Sequence, residues 1–358
     1  MKIILVGGTF DRDGGHKSYI VDCIASELMQ YDITYVTVFN GGHISELMSM
    51  DMHYAINGTD VLLWMPNVDN AEDKILPSIK KTWPHLTLVQ SKNVEGRDTN
   101  DFRLVKRLLD SHSSLGIVFD KVSGKRSYRI LDPLGNKWIE TSSVSALSHA
   151  LFTRLGILIR VQRVGSRSVE KASSFRLEDE FLHSVKTLGE QFTEHVMAAN
   201  PDRYLGNAST RCCHGFPSAR AGNSIYVSQR NVDKTIITSQ QFVEVYANLH
   251  DCIEYAGDAK PSVDTPIQMR LYAIYSRVNY MVHGHVYVKD APYTNNCIPC
   301  GGLDEVRDIV TVQPNVELGD FAVNLRGHGC LICSTTPQGL LDYELMPRGL
   351  LEDQSVHL

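Results

Sequence analysis

The chain lacks the features that would mark a membrane, secreted or nucleic-acid-binding protein. No apolar run in it approaches the roughly 18 residues of a membrane helix. The opening MKIILVGGTF has too short an apolar part for a secretory signal and leads straight into a strand-and-turn pattern. Eight cysteines among 358 residues are too few for a disulfide framework, so free thiols and a cytoplasmic location are expected. A formal net charge of −6 leaves no basic excess for nucleic acid, although a small anion could still meet a locally positive site. No internal repeat and no low-complexity tract interrupts the sequence.

Hydrophobic residues make up 43% of the chain and charged residues 21%, enough apolar material for two cores. A chain of this length divides most naturally into two domains of roughly 150–200 residues. The first 165 residues alternate short buried-looking runs (KIILVGG, ITYVTVF, DVLLWMP, LTLVQS, LGIVFD) with helix-compatible stretches, the first from about Lys17 to Met29. This rhythm predicts an α/β domain with a doubly wound, mainly parallel sheet covered by helices on both faces. The polar stretch GSRSVEKASS reads as a linker, and a second domain over 172–358 starts with an amphipathic helix at roughly Leu177 to Ala199.

The turn after the first strand, GGTFDRDGGH, places Gly7, Gly8, Gly14 and Gly15 where backbone amides and a helix N-terminus could cradle a phosphate. A nucleotide or sugar phosphate is one reading and a structural glycine turn is the other. The run resembles the opening of the cytidylyltransferase-like nucleotidyltransferases. It is one residue short of that pattern and lacks the first histidine of its histidine pair.

The richest signal is YMVHGHVYV, a Val- and Tyr-rich stretch that reads as a strand. Residues two apart share a face of a strand, so His283 and His285 can chelate one ion, unless the pair is merely packed in a core. His328 in NLRGHGCLI precedes another strand-like run, LICS. Three neutral imidazoles on a divalent ion leave a coordination position open, as catalysis requires. Cys297, Cys300, Cys330 and Cys333, spaced as two CxxC pairs, offer a rival four-cysteine zinc site. Residues three apart in a strand face opposite sides, which counts against Cys330 and Cys333 acting together.

From about residue 177 onward the chain resembles the class II aldolase/adducin family, most nearly its L-ribulose-5-phosphate 4-epimerase branch. The resemblance is carried in order by GNASTR, by IYVSQRNVDKTIITSQQFVEVY, by PSVDTPIQMRLYAIYSRVNYMVHGH, by CIPCGG and by LRGHGCLIC. It implies an α/β/α domain with a central antiparallel sheet, and a divalent metal (zinc above all) held by His283, His285 and His328. The chemistry it implies is bond-making and bond-breaking next to a carbonyl, through a metal-stabilised enediolate of a small sugar, sugar phosphate or hydroxy-carbonyl compound. Asp264 falls at the family's acidic position and would shuttle protons, although PSVDTP also reads as a helix start with Asp264 as its cap. Asn207, Ser228, Arg230, Asn231 and Ser262 fall on the family's phosphate-binding positions. Sites in this family are built where subunits meet, which implies a homo-oligomer, for example a tetramer.

The chain also departs from the pattern. Arg230 and Asn231 replace the Ser-Gly pair of the phosphate loop, and Val263 replaces its second serine. Arg230 could grip an anion with two nitrogens or fill the space the loop leaves open. Only 30 residues follow His328, so the segment that carries the epimerase's tyrosine is short, with Tyr343 as the available substitute. The competing expectation is a non-catalytic, adducin-like interaction protein with a degenerate site.

Overall fold

The computed structural model describes residues 1–32, 34–67, 72–95, 101–122, 125–162, 165–171, 175–192, 203–211, 224–249, 252–349 and 353–354. They form two compact units, Met1–Gln162 with Leu350–Leu358, and Arg163–Gly349.

In the first unit β1 (Lys2–Asp11), β2 (Tyr35–His43), β3 (Val61–Asn67), β4 (Thr87–Glu95) and β5 (Leu115–Val122) run parallel in the order β2-β1-β3-β4-β5. Two antiparallel strands, β6 (Lys125–Leu131) and β7 (Lys137–Thr141), extend the edge. Helices α1 (Tyr19–Leu28), α2 (Met50–Ile56), α3 (Glu72–Thr82), α4 (Asp101–Asp110) and α5 (Val144–Gln162) lie between or after the strands. Ile3 to Val6 and Val61 to Trp64 are buried without alternation, because both faces of a parallel sheet are covered. Ile4, Val6, Leu62 and Trp64 pack with residues of α2 and α3, while Gly7 faces Val21 of α1. Helix α1 buries Val21, Ile24, Ala25 and Leu28, the spacing of one helical face.

Two expectations need correction. Helix α5 contains an 18-residue window, Val144–Val161, of mean hydropathy 1.3, long and apolar enough by length and composition to cross a membrane. It escapes notice as an apolar run because Ser145, Ser148 and Arg154 interrupt it. Leu147, Leu151 and Leu155 are buried in the unit, and the guanidinium of Arg154 stacks on Trp138, 3.4 Å from the ring centroid. The stretch read as a linker forms strand β8 (Gly165–Glu170). Its polar composition reflects an edge position: β8 has a single neighbour in the sheet and exposes most of its residues.

The second unit holds an eight-stranded sheet in the order β15-β16-β13-β9-β10-β11-β12-β8. The strands are β9 (Asn207–Arg211), β10 (Ile225–Ser228), β11 (Phe242–Leu249), β12 (Cys252–Ala256), β13 (Tyr280–Gly284), β15 (Phe321–Leu325) and β16 (Gly329–Ser334), with β8 at the edge. All pairs are antiparallel except β12 with β8. A separate two-stranded antiparallel sheet pairs β14 (Tyr287–Val288) with β17 (Leu345–Met346). Helix α6 spans Asp179–Phe192; the expected continuation to Ala199 lies outside the described residues. Helices α7 (Thr265–Ile274) and α8 (Asp304–Val312) complete the unit. Met281, Leu331 and Cys333 share a core with α7 and α8, and Tyr280, Val282, Cys330 and Ile332 pack on the opposite side with α6. The fold is therefore mixed α/β: a mostly parallel first sheet and a mostly antiparallel second one.

Candidate metal centre and carboxylate

Strand parity puts His283 on the Met281 face of β13, toward α7 and α8. His283 pairs across the ladder with Leu331, and β16 follows His328 directly. The three rings meet there. Their centroids lie 5.1 Å (His283–His285), 4.5 Å (His283–His328) and 5.2 Å (His285–His328) apart, and one donor atom from each falls within 4.8 Å of the others. All three are buried.

Glycines make this convergence possible. Gly284, between the first two histidines, sits against the Phe192 ring, where an added Cβ would lie 2.3 Å from a ring carbon. Gly329 has φ +153° and packs on the Gly284 carbonyl, bringing the start of β16 onto the histidine strand.

The ring nitrogens are oriented from behind. His283 Nδ1 lies 2.8 Å from the Cys330 carbonyl and donates to it, which leaves Nε2 with its lone pair, buried and without a hydrogen-bond partner. An unpaired buried nitrogen is costly unless something else satisfies it. His328 Nδ1 is 3.2 Å from Glu305 Oε1 on α8, and its Nε2 is 3.0 Å from Cys300 Sγ. A carboxylate behind a ligating imidazole is a recurrent arrangement in metal sites, since it fixes the ring and raises its basicity. Burial, helped by the neighbouring His328, lowers the pKa of His283 to about 4, and burial also holds His285 well below the usual histidine range. Burial pushes His328 down too, but the facing Cys300 and Glu305 outweigh it and raise His328 well above the ordinary value. The neutral pair with an orphaned nitrogen, and a third imidazole anchored by an acid, fit a divalent cation.

Asp264 occupies the N-cap position of α7, yet its side chain does not cap the helix. It faces the centre instead. Oδ1 accepts from the Gly301 amide at 2.7 Å, Oδ2 accepts from Asn207 Nδ2 at 2.9 Å, and Oδ2 lies 3.9 Å from His283 Nε2. Gln268 in turn donates to Asn207 Oδ1, so both ends of the Asn207 amide are spent on positioning the carboxylate.

The other positions expected to bind phosphate are engaged within the chain. Ser228 Oγ accepts from the Ala208 amide, Ser262 Oγ from the Asp264 amide, and Asn231 Oδ1 from the Tyr204 amide. Arg230 donates Nε to the Pro261 carbonyl. Tyr343 packs against the α6 side of the sheet, and burial pushes its phenol up to about 12. The four-cysteine alternative fails on geometry. Cys330 and Cys333 are buried in cores on opposite faces of β16, and burial raises Cys330 to about 12. Cys212 and Cys213 lie outside the described residues.

In the first unit Gly7 and Gly8 belong to β1 itself rather than to a loop after it. The amide of Gly15 donates to Gly42, that of His16 to Thr9 Oγ1, and that of Thr9 to the His16 carbonyl. Gly14 has φ +92°, a turn conformation. A separate cleft of about 260 Å³ opens near the start of α1, lined by Ser18, Asn93, Asp120, Lys121 and Arg126 among others.

Glu305 and Cys300 were not singled out as parts of the site from sequence. Glu305 left a trace: it shares the buried face of α8 with Val306, Asp308 and Ile309, where an acid is out of place. Cys300 left its CxxC spacing and its place in the CIPCGG block.

Comparison with known proteins finds a family match in one stretch of the chain. No curated protein matches the chain. Solved structures that resemble it include an L-fuculose 1-phosphate aldolase (13% identity over 48% of this chain and 82% of that one, TM-score 0.34). Another is the N-terminal class II aldolase domain of a conserved protein from Thermoplasma acidophilum (17%, 48% and 90%, 0.32). A third is a DNA/pantothenate metabolism flavoprotein from Streptococcus pneumoniae (11%, 44% and 98%, 0.36). Residues 201–289, which include Asp264, His283 and His285 but not Cys300, Glu305 or His328, match the family model of the class II aldolase and adducin N-terminal domain.

Proposed function

We propose that the second unit is a metal-dependent enzyme of the aldolase or epimerase type, acting on a small sugar, sugar phosphate or related hydroxy-carbonyl compound. The observation that carries this reading is the orphaned Nε2 of His283 among three converging buried imidazoles, with the Asp264 carboxylate 3.9 Å away. A divalent ion, zinc by preference, would be held by His283, His285 and His328 and would supply Lewis-acid polarisation of a carbonyl oxygen. Asp264 is the group that takes or returns a proton at the carbon beside that carbonyl. Asn207 and the Gly301 amide hold it in position, and Glu305 fixes the His328 ring. The first unit would bind a nucleotide or activated sugar, or serve as a partner surface, and the protein would work as a homo-oligomer.

A second reading, a non-catalytic adducin-like protein, draws on one observation: the side chains of Asn207, Ser228, Asn231 and Ser262 each already make a hydrogen bond within the chain. Elemental analysis of the purified protein, followed by a panel of phosphorylated and free keto-sugars, separates the two. Stoichiometric divalent metal with metal-dependent cleavage or epimerisation is expected. Protein without metal, or inert toward the whole panel when metal is bound, would favour the non-catalytic reading.

A further inference from the structure

Cys300 stands beside the histidine set in a place that packing alone does not account for. Its sulfur is hydrogen-bonded to His328 Nε2 at 3.0 Å, on the side of the ring opposite the Nδ1–Glu305 contact. With Asp264 and His328 it makes a second group of donors within 4.8 Å of one another, sharing His328 with the three-imidazole group. Cys300 is half-buried, whereas Cys330 and Cys333 are sealed in cores. A cation bound to His328 Nε2 must enter the space that this sulfur already borders. Bond lengths of about 2.1 Å to nitrogen and about 2.3 Å to sulfur, at tetrahedral angles, set the two donors about 3.6 Å apart. Opening the present contact by about half an ångström reaches that separation.

We propose that the thiolate of Cys300 is a fourth protein ligand to the divalent ion held by His283, His285 and His328, an inference that rests on the metal-binding reading of those histidines. Coordination would replace the Cys300–His328 hydrogen bond by a sulfur–metal and a nitrogen–metal bond; the protons held by the sulfur and by Nε2 would leave to solvent, and no redox change is involved. The added sulfur favours zinc or cobalt over manganese or magnesium, since thiolate is a soft ligand. A fourth protein ligand would also compete with a substrate oxygen for the ion.

The test uses the full-length protein, stripped with a chelator and reloaded with one equivalent of cobalt(II). Bound cobalt should show a near-ultraviolet thiolate-to-cobalt charge-transfer band. Cys300→Ser should lose that band while keeping stoichiometric cobalt, and Cys297→Ser should keep both. The preference for zinc over manganese should fall by about tenfold or more in Cys300→Ser. Stoichiometric cobalt without the band in the unaltered protein, or a band that survives in Cys300→Ser, overturns the proposal and leaves the three-histidine centre standing. Failure to take up cobalt at all sinks both.

Discussion

Both units carry a glycine–histidine segment next to a buried strand, and the two differ in what their polar atoms do. In the first unit the amides of Gly15, His16 and Thr9 are all donated to neighbours in the same fold, and His16 is exposed. In the second, His283 and His285 are buried, and His283 Nε2 has no partner. The residue types are alike, but a segment that satisfies its own polar groups is architecture. One that buries a lone pair unpaired carries a desolvation cost that a bound ion or water can offset.

The sharpest way to break this comparison is to remove one histidine from each unit. His283→Ala should abolish stoichiometric metal binding and reduce any turnover by about a hundredfold or more, since loss of even an outer partner costs 10–100-fold. His16→Ala should leave metal content unchanged. Metal analysis of the two variants decides it, and equal loss in both would erase the distinction. Asp264→Asn should come next, with turnover down by about 10²–10⁴-fold and metal content intact, because it removes the proton shuttle and leaves the imidazoles in place. Unchanged turnover in that variant would end the acid–base assignment.

Acid should separate the units as well. Burial puts the His283 pKa at about 4 in the folded chain, against an ordinary 6.5. Between those values the unfolded chain binds a proton that the folded chain does not, so stability is lost as pH falls from about 6.5 toward about 4. The loss amounts to about 3 kcal/mol for the metal-free protein, with His285 acting in the same direction. His328, raised in the fold, contributes oppositely: its share is complete below the ordinary histidine value and is lost on going alkaline. The described histidines of the first unit, His16, His43, His53, His85, His112 and His149, are all exposed. Urea unfolding at pH 7 and pH 5 should therefore weaken the second unit selectively, and equal shifts in both would contradict the burial argument.

The parts of this arrangement that could be read in sequence are those set by backbone period. The buried runs of β1 and β3 announce a parallel sheet, and the two-residue spacing of His283 and His285 fixes their common face. Asp264 was legible as both helix cap and candidate acid; only the fold shows that it keeps the cap position while its side chain turns to the Gly301 amide and Asn207. What stayed hidden depends on long-range packing. Glu305 reaches His328 across 23 residues and Cys300 across 28, and neither distance leaves a periodic mark. Strand β8 was missed because an exposed edge strand needs no alternating apolar face. The hydrogen bonds that Ser228, Ser262 and Asn231 accept from the Ala208, Asp264 and Tyr204 amides were likewise invisible in sequence.

Glu305 offers a finer test of the histidine side. Glu305→Gln keeps the shape and an acceptor for His328 Nδ1 but removes the charge, so metal affinity should fall by about 10–100-fold without loss of the fold. Competition with a chromophoric chelator measures this directly. Unaltered affinity would make the contact incidental to metal binding.

The smallest effect is expected from the glycine side. An alanine Cβ at Gly15 would fall 1.8 Å from the Thr9 carbonyl oxygen, a backbone atom that cannot swing aside. The turn would have to move, straining the Gly15–Gly42 and His16–Thr9 hydrogen bonds, at a cost of about 1–3 kcal/mol. Urea unfolding should register that loss in the first unit, while metal content and the acid response of the second stay as they were. If the second unit's metal content dropped as well, the two would be energetically coupled and could not be compared as independent folds. If neither changed, the turn would be loose enough to yield, and its internally spent amides would no longer count as evidence of architecture.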